Sequence, residues 1–186
     1  VQDWNEAAEH IFGWSQGEAL RKKYSELLAE SEDDPVDPAN VYGETKLMIE
    51  RMLGWYNRVA GLNFAALRYF NACGAMLDAN GSAIRGEDHD PETHLIPLVI
   101  QAAIGQREQV KIFGTDYDTP DGTAVRDYIH VTDLAAAHVR AIEILPECNN
   151  SLFLNLGTGT GYSVRDVIRV VEKVSGRKVN ALEAPR

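Results

Sequence analysis

The sequence predicts an α/β fold with parallel strand pairing. Two observations carry that reading. Short apolar runs bounded by glycine alternate with helical stretches of about 10 to 15 residues, the pattern of strand–helix–strand units. The helical stretches also carry their own start and stop residues, so the alternation is punctuated.

Taken in order, residues 1–34 read as mixed helical and polar, and SEDDPVDPAN (Ser31 to Asn40) as an acidic, proline-bearing loop. VYGETKLMIERML then opens a helix whose Ile49, Met52, Leu53, Tyr56 and Val59 recur at helical spacing, and Gly61 suits its C-terminal stop. NFAALRYFN, Asn63 to Asn71, reads as one buried strand. The polar loop LDANGSAIRGEDHDPETH leads to a helix from about Leu95 to Ile104, with Pro97 tolerable in its first turn. QVKIFG is a strand and TDYDTPDGTAVRD a loop. Thr132 suits the cap of a helix running to about Leu145, where Pro146 prevents continuation. LFLNLG is a strand, Ser163 with Asp166 a capping box, and Val164 to Val174 a helix ending at Gly176. KVNALE is a last strand.

The 186 residues suffice for one domain, or a domain and part of another, and 45% apolar with 25% charged residues is an ordinary globular balance. A net charge of -10, from 28 acidic against 18 basic residues, argues against a nucleic-acid surface or an anionic membrane. It leaves room for a local basic pocket. Cys73 and Cys148, in no metal or redox spacing, read as reduced, buried thiols of a cytoplasmic protein. No apolar run is long enough for a membrane span, and VQDWNEAAEH lacks the pattern of a signal peptide. A start on Val and an end on AlaProArg read as a fragment.

Several segments invite a chemical reading. GTGTG, Gly157 to Gly161, follows a strand as a dinucleotide loop would, but too few residues follow it for the further strands of a nucleotide-binding sheet. A structural turn is the better reading. DYDTPDG departs from a calcium loop in the place of its third aspartate and by a proline where the turn must be sharp. GEDHDPETH could offer Asp88, His89, Asp90 and His94 to a metal, yet nothing in the spacing sets a coordination geometry, and a solvated loop is favoured, so no metal is expected. His130 and His138 suit packing or capping better than ligation. No Gly-x-Ser-x-Gly elbow provides a hydrolase nucleophile.

Tyr42 and Lys46 are different in kind. Four residues apart on a helix, they share a face. A phenol is a poor base at neutral pH, and a nearby ammonium favours its phenolate. Such a pair suits proton transfer with a sugar hydroxyl while hydride moves to a nicotinamide. A surface lysine beside a packed tyrosine fits an isolated motif as well.

Other segments decide between these. DPANVYGETKLMIE, LRYFNACGA, GEDHDPETHLIP, IFGTDYDTPDGTAVRDYIHVTDLAAAHV and NLGTGTGYSVRDVI together resemble the UDP-glucose 4-epimerases, in the extended branch of the short-chain dehydrogenase/reductase family. The run from IFGTDY to YIHVTDL is the most specific, since every short-chain dehydrogenase shares Tyr-x-x-x-Lys.

The resemblance implies residues 1–75 as the remaining part of a Rossmann-like NAD-binding domain, with 1–28 unassigned. Residues 76–186 would be mainly a small α/β UDP-sugar-binding domain. It implies NAD as cofactor, UDP-glucose and UDP-galactose as substrates interconverted through a 4-keto sugar, and homodimerisation through the helix that bears Met48, Met52 and Trp55. Tyr42 would be the catalytic acid and base, and Lys46 would hold the nicotinamide ribose and favour the phenolate. Tyr69 would line the nicotinamide pocket, Asn71 and Arg126 would meet the diphosphate, and Phe113 would border the uracil. Another NAD-dependent nucleotide-sugar epimerase, a dehydratase or a decarboxylase would use the same Tyr and Lys. A catalytically silent fragment is the remaining alternative. The family's Gly-rich diphosphate loop and the serine that accompanies the tyrosine are not found in this sequence, so weak NAD binding is expected of this chain.

Overall fold

The structure, a computed structural model, describes residues 40–148 and 150–186. The readings of residues 1–34 and of nearly all of SEDDPVDPAN lie outside them. The described elements are α1 (Val41–Ala60), β1 (Ala65–Tyr69), β2 (Asn71–Cys73), β3 (Met76–Leu77), β4 (Ala83–Arg85), α2 (Leu95–Ala103), β5 (Val110–Phe113) and β6 (Val125–His130). After them come α3 (Val131–Ile144), a 3₁₀ turn (Leu145–Glu147), β7 (Leu152–Leu156), β8 (Gly161–Ser163), α4 (Val164–Ser175) and β9 (Ala181–Ala184). The α/β class and the parallel pairing are as expected: β1 with β7, β2 with β6 and β5 with β9 all run parallel.

The chain divides into two compact units, one of residues up to Tyr69 with Thr132–Leu156, the other of Phe70–Val131 with Gly157–Arg186. In the first unit β1 and β7 pair from Ala65↔Leu152 to Tyr69↔Leu156. Its buried apolar residues include Phe64, Leu134, Ala141 and Leu156, and Phe64 meets Phe153 edge to face at 5.3 Å. The helix α1 is tied to the strand layer by a bidentate ion pair in which Arg68 Nε and Nη2 donate to Glu50 at 2.8 and 2.6 Å. A planar guanidinium matches a carboxylate in this fork geometry.

The second unit has its core between α2, α4 and β5. Val99, Val110 and Val167 are buried together against Leu95, Ile96, Leu98, Ile168 and Val171. Burying each such valine contributes about 1.5–3 kcal/mol. Ser163 and Asp166 form the expected reciprocal capping box at the start of α4, and Gly176 closes that helix in the left-handed conformation. Gly61 does the same for α1.

Several expectations need correction. Asn63 to Asn71 is not one strand: the chain breaks at Phe70, and β1 and β2 join different sheets. Continuous apolarity marks burial but not where a strand changes partner. The loop after Asp78 contains β4, whose antiparallel pairing with β3 closes through the Asp78 turn, where Oδ1 accepts from Asn80 and Ser82 backbone N–H. Val125–Asp127, read as loop, opens β6, since its partners β2 and β8 are remote in sequence. The helix α3 begins at Val131, so Thr132 stands inside its first turn. Cys73 and Cys148 are in no disulfide, and they are only half-buried. The apolar stripe of α1 is largely exposed, with Met52 at 58% and Val59 at 82%. Helical spacing indicates an amphipathic face without saying what covers it.

Candidate functional site

The expected site residues fall into both compact units, three in each. In the first unit, Asn40 caps α1 by accepting the Gly43 backbone N–H at 2.9 Å, which starts the helix one residue before Tyr42. From there 3.6 residues per turn carries Lys46 back over Tyr42, its Nζ lying 5.0 Å from the phenol ring centroid. Both side chains are exposed at the helix start. The Thr45 hydroxyl donates to the Tyr42 carbonyl at 2.7 Å, so it is turned toward the backbone of that first turn. Tyr69, half-exposed at the C-terminal end of β1, sits 6.1 Å from the His138 ring. His138 itself is a packing histidine, its Nδ1 at 2.7 Å from the Leu134 carbonyl one helical turn back.

In the second unit, β6 is the central strand. Asn71 on β2 is in register with Tyr128, and Arg126 on β6 with Tyr162 on β8. This brings Asn71 and Arg126 to one short strand segment: Asn71 Nδ2 donates to the Asp127 carbonyl at 3.0 Å, and Arg126 Nη1 to the Val125 carbonyl at 2.9 Å. Arg126 is exposed and offers further guanidinium donors. Burial pushes the Tyr128 phenol up, while the Arg126 charge pulls it back down. Phe113 lies elsewhere in this unit, at the end of β5 opposite Ala184 and 61% exposed. An open groove lined by Gly114–Asp116 and Glu183–Arg186 follows it.

The glycine-rich loop after β7 proves to be a turn with an anion of its own. Asp127 Oδ1 and Oδ2 accept the Thr158 backbone N–H at 3.0 and 2.9 Å, Oδ2 accepts Gly159 N–H at 2.9 Å, and Oδ1 accepts the Thr158 hydroxyl at 2.8 Å. Successive backbone N–H groups that could cradle a phosphate are therefore held by a carboxylate of the same chain. Gly157 is required by close approach, since a Cβ there would stand 2.7 Å from Asp127 Oδ2 and 2.9 Å from Phe70. Asp127 escaped the sequence reading because its partners are 31 residues away. The only local signal was its place beside Arg126.

A second polar knot supports the same strands. Asp121 accepts the Ser163 hydroxyl at 2.5 Å, and the Thr123 hydroxyl and N–H at 2.7 and 2.9 Å. Thr123 and Ser163 are buried. The Ser163 hydroxyl beside it, with Thr123 assisting, holds the Asp121 carboxyl below the ordinary carboxylate range. Asp166 is held low chiefly by the Ser163 backbone N–H of the capping box.

Comparison with known proteins follows this geometry. The family model for the NAD dependent epimerase/dehydratase family matches residues 13–157. A UDP-glucose 4-epimerase of Halalkalibacterium halodurans is 55% identical over 155 residues, 83% of this chain and 45% of that protein. One from Streptococcus mutans is 50% identical over the same shares. Among solved structures, the UDP-glucose 4-epimerase from Brucella ovis in complex with NAD is 48% identical with a TM-score of 0.76. The alignment covers 86% of this chain and 49% of that one. The enzyme from Bifidobacterium longum in complex with NAD+ and UDP is 38% identical with a TM-score of 0.71, over 86% and 47%. The chain spans about half the length of the curated relatives it matches.

Proposed function

From the premise that this chain belongs to the NAD dependent epimerase/dehydratase family, we propose that it supplies part of a UDP-glucose 4-epimerase, inverting C4 of a UDP-hexose through a 4-keto sugar. The observation that carries the reading is Lys46 set over the Tyr42 ring at the start of α1. The pair presents a phenol and an ammonium together on one exposed helix face, where a positioned side chain can exchange a proton with a sugar hydroxyl.

The residues present suit the nicotinamide end of the cofactor: an ammonium, a phenol and the half-exposed Tyr69 ring. NAD, when bound, supplies the hydride acceptor and donor at C4. Tyr42 Oη takes the proton of the C4 hydroxyl and returns it, and Lys46 holds the ribose hydroxyls. Tyr69 borders the nicotinamide. Arg126 and Asn71 meet the diphosphate, where a guanidinium offers fixed, charge-assisted donors and Asn71 keeps a second amide N–H beyond the one given to Asp127. Phe113 lies against the uracil. On this reading the nicotinamide side is carried within residues 1–75 and the UDP-sugar side mainly within 76–186. The protein acts in the cytoplasm, and among the described residues no helix is long and apolar enough to cross a membrane. The intact enzyme dimerises through the exposed Met48, Met52 and Trp55 of α1.

The test joins this chain to the part of the Halalkalibacterium halodurans relative that it does not match. UDP-galactose and NAD are added, and UDP-glucose is followed. Conversion that falls at least 100-fold on Tyr42→Phe supports the assignment. An active chimera indifferent to Tyr42 would refute the role of that residue, and a folded chimera active only on other nucleotide sugars would refute the substrate.

A further inference from the structure

The segment GEDHDPETH, which the sequence alone leaves as a solvated loop, folds so that three side chains converge. One donor atom each from Glu87, His89 and His94 lies within 4.8 Å of the others. Asp88 and Asp90, equally eligible by sequence, are not in the group.

We propose that Glu87, His89 and His94 bind a first-row divalent cation such as Zn²⁺ or Ni²⁺, with Glu92 as the residue that orients the His94 imidazole. His89 Nε2 stands 3.4 Å from Glu87 Oε1. Two donors on one tetrahedral ion, each about 2.0–2.2 Å from the metal, stand roughly 3.3–3.5 Å apart, so this pair is already at ligating separation. The third ligand has to close by at most roughly 1.4 Å to reach the same spacing. His94 can do so by side-chain rotation, being 55% exposed.

Glu92 is what distinguishes this cluster from a chance gathering of polar groups. Its Oε1 accepts the backbone N–H of Thr93 and of His94, both at 2.7 Å, which fixes the carboxylate against the turn. The same oxygen lies 2.9 Å from His94 Nδ1, and Oε2 lies 4.0 Å from His89 Nδ1. An ionised carboxylate can only accept, so His94 Nδ1 carries the proton and its Nε2 lone pair is left for a metal. A carboxylate behind a ligating imidazole is the usual means by which a protein sets ring tautomer and direction at a metal centre. The two rings lie beside each other, with centroids 4.9 Å apart and planes tilted by 39°. Three protein ligands leave a fourth position for water or an oxygen anion. An exposed site of this kind binds in the micromolar range, because no burial pre-orders the ligands.

The experiment is calorimetric titration of the metal-stripped, untagged chain with ZnCl₂, and separately NiCl₂, in a non-chelating buffer, beside Co²⁺ absorption spectra. One site of micromolar affinity is expected, with visible Co²⁺ bands of low-symmetry coordination. His89→Asn or His94→Asn should each weaken it more than tenfold, and Glu92→Gln by about 10- to 100-fold, with circular dichroism unchanged. Absence of a micromolar site overturns the proposal. So does a site that survives the double change His89→Asn/His94→Asn, since the metal then sits elsewhere.

Discussion

Replacing Asp127 by alanine removes the one carboxylate on which the turn after β7 closes. The change leaves two backbone donors, Thr158 and Gly159, without their acceptor, while the Thr158 hydroxyl keeps the Thr160 carbonyl at 3.2 Å. A hydrogen bond to an ionised acceptor contributes about 1.5–3 kcal/mol. Gly159 is exposed and exchanges its partner for water at little cost, whereas Thr158 is half-buried. The expected destabilisation of the second unit is therefore about 2–4 kcal/mol. Asp127→Asn keeps one acceptor oxygen and should lose roughly half of that. Hydrogen exchange reads the effect where it arises: the amides of Thr158 and Gly159 should exchange about 30-fold faster or more in Asp127→Ala. Urea unfolding followed by circular dichroism gives the accompanying loss of stability. A change below about 0.5 kcal/mol, with both amides exchanging as before, would show that the loop holds its shape without the carboxylate.

Other outcomes follow from the same structure. Gly74 has φ +88 and a Cβ there would stand 2.2 Å from His130, whereas Gly159 has φ +72 and open space. Gly74→Ala should therefore cost well beyond the roughly 1–2 kcal/mol of left-handed backbone that Gly159→Ala incurs, measured by denaturant midpoint. Ser163→Ala removes both a helix cap and the Asp121 partner, an expected loss of about 2–4 kcal/mol, with Ser163→Thr retaining most of the stability. Asp121 and Asp166 have folded pKa values below their unfolded ones, so their contribution is complete above the ordinary carboxylate range and is lost as pH falls through the depressed values. Acid unfolding of Ser163→Ala should accordingly depend less on pH in that window than the parent does. A double-mutant cycle on Glu50 and Arg68, with side chains 14% and 31% exposed, should give a coupling of about 1–3 kcal/mol in thermal unfolding. Finally, calorimetry should find NAD binding to this chain weaker than micromolar, because the loop amides of Thr158 and Gly159 already serve Asp127.

What could be read from the sequence was what is decided within one helical turn. Gly61 and Gly176 stop their helices, Ser163 and Asp166 cap each other, and Tyr42 and Lys46 share a face, each by geometry spanning at most four residues. What could not be read depends on partners far along the chain. The Val125–Asp127 segment is a strand because Asn71–Cys73 and Gly161–Ser163 flank it, and nothing local to AVRD announces either neighbour. Phe70 marks a change of sheet inside an unbroken apolar run. His89 and His94 converge through a turn that Glu92 ties, which spacing alone cannot distinguish from an open loop. The roles of Tyr69, Asn71, Phe113 and Arg126 came from resemblance, because each is a single residue whose meaning depends on a ligand.

The chain changes compact unit at Tyr69/Phe70, Val131/Thr132 and Leu156/Gly157, each time without a linker. Both units are consequently discontinuous, and the pairings that complete them are late: Ala65–Tyr69 waits for Leu152–Leu156, and Val110–Phe113 for Ala181–Ala184. During synthesis, at about 5–20 residues per second, β7, the partner of β1 among the described residues, emerges several seconds after it. No cut at a single peptide bond yields either unit alone, so neither can be obtained by truncation. Isolating one requires a permuted gene that joins its two segments, and a translating ribosome can finish the second unit only after Ala184 has cleared the exit tunnel.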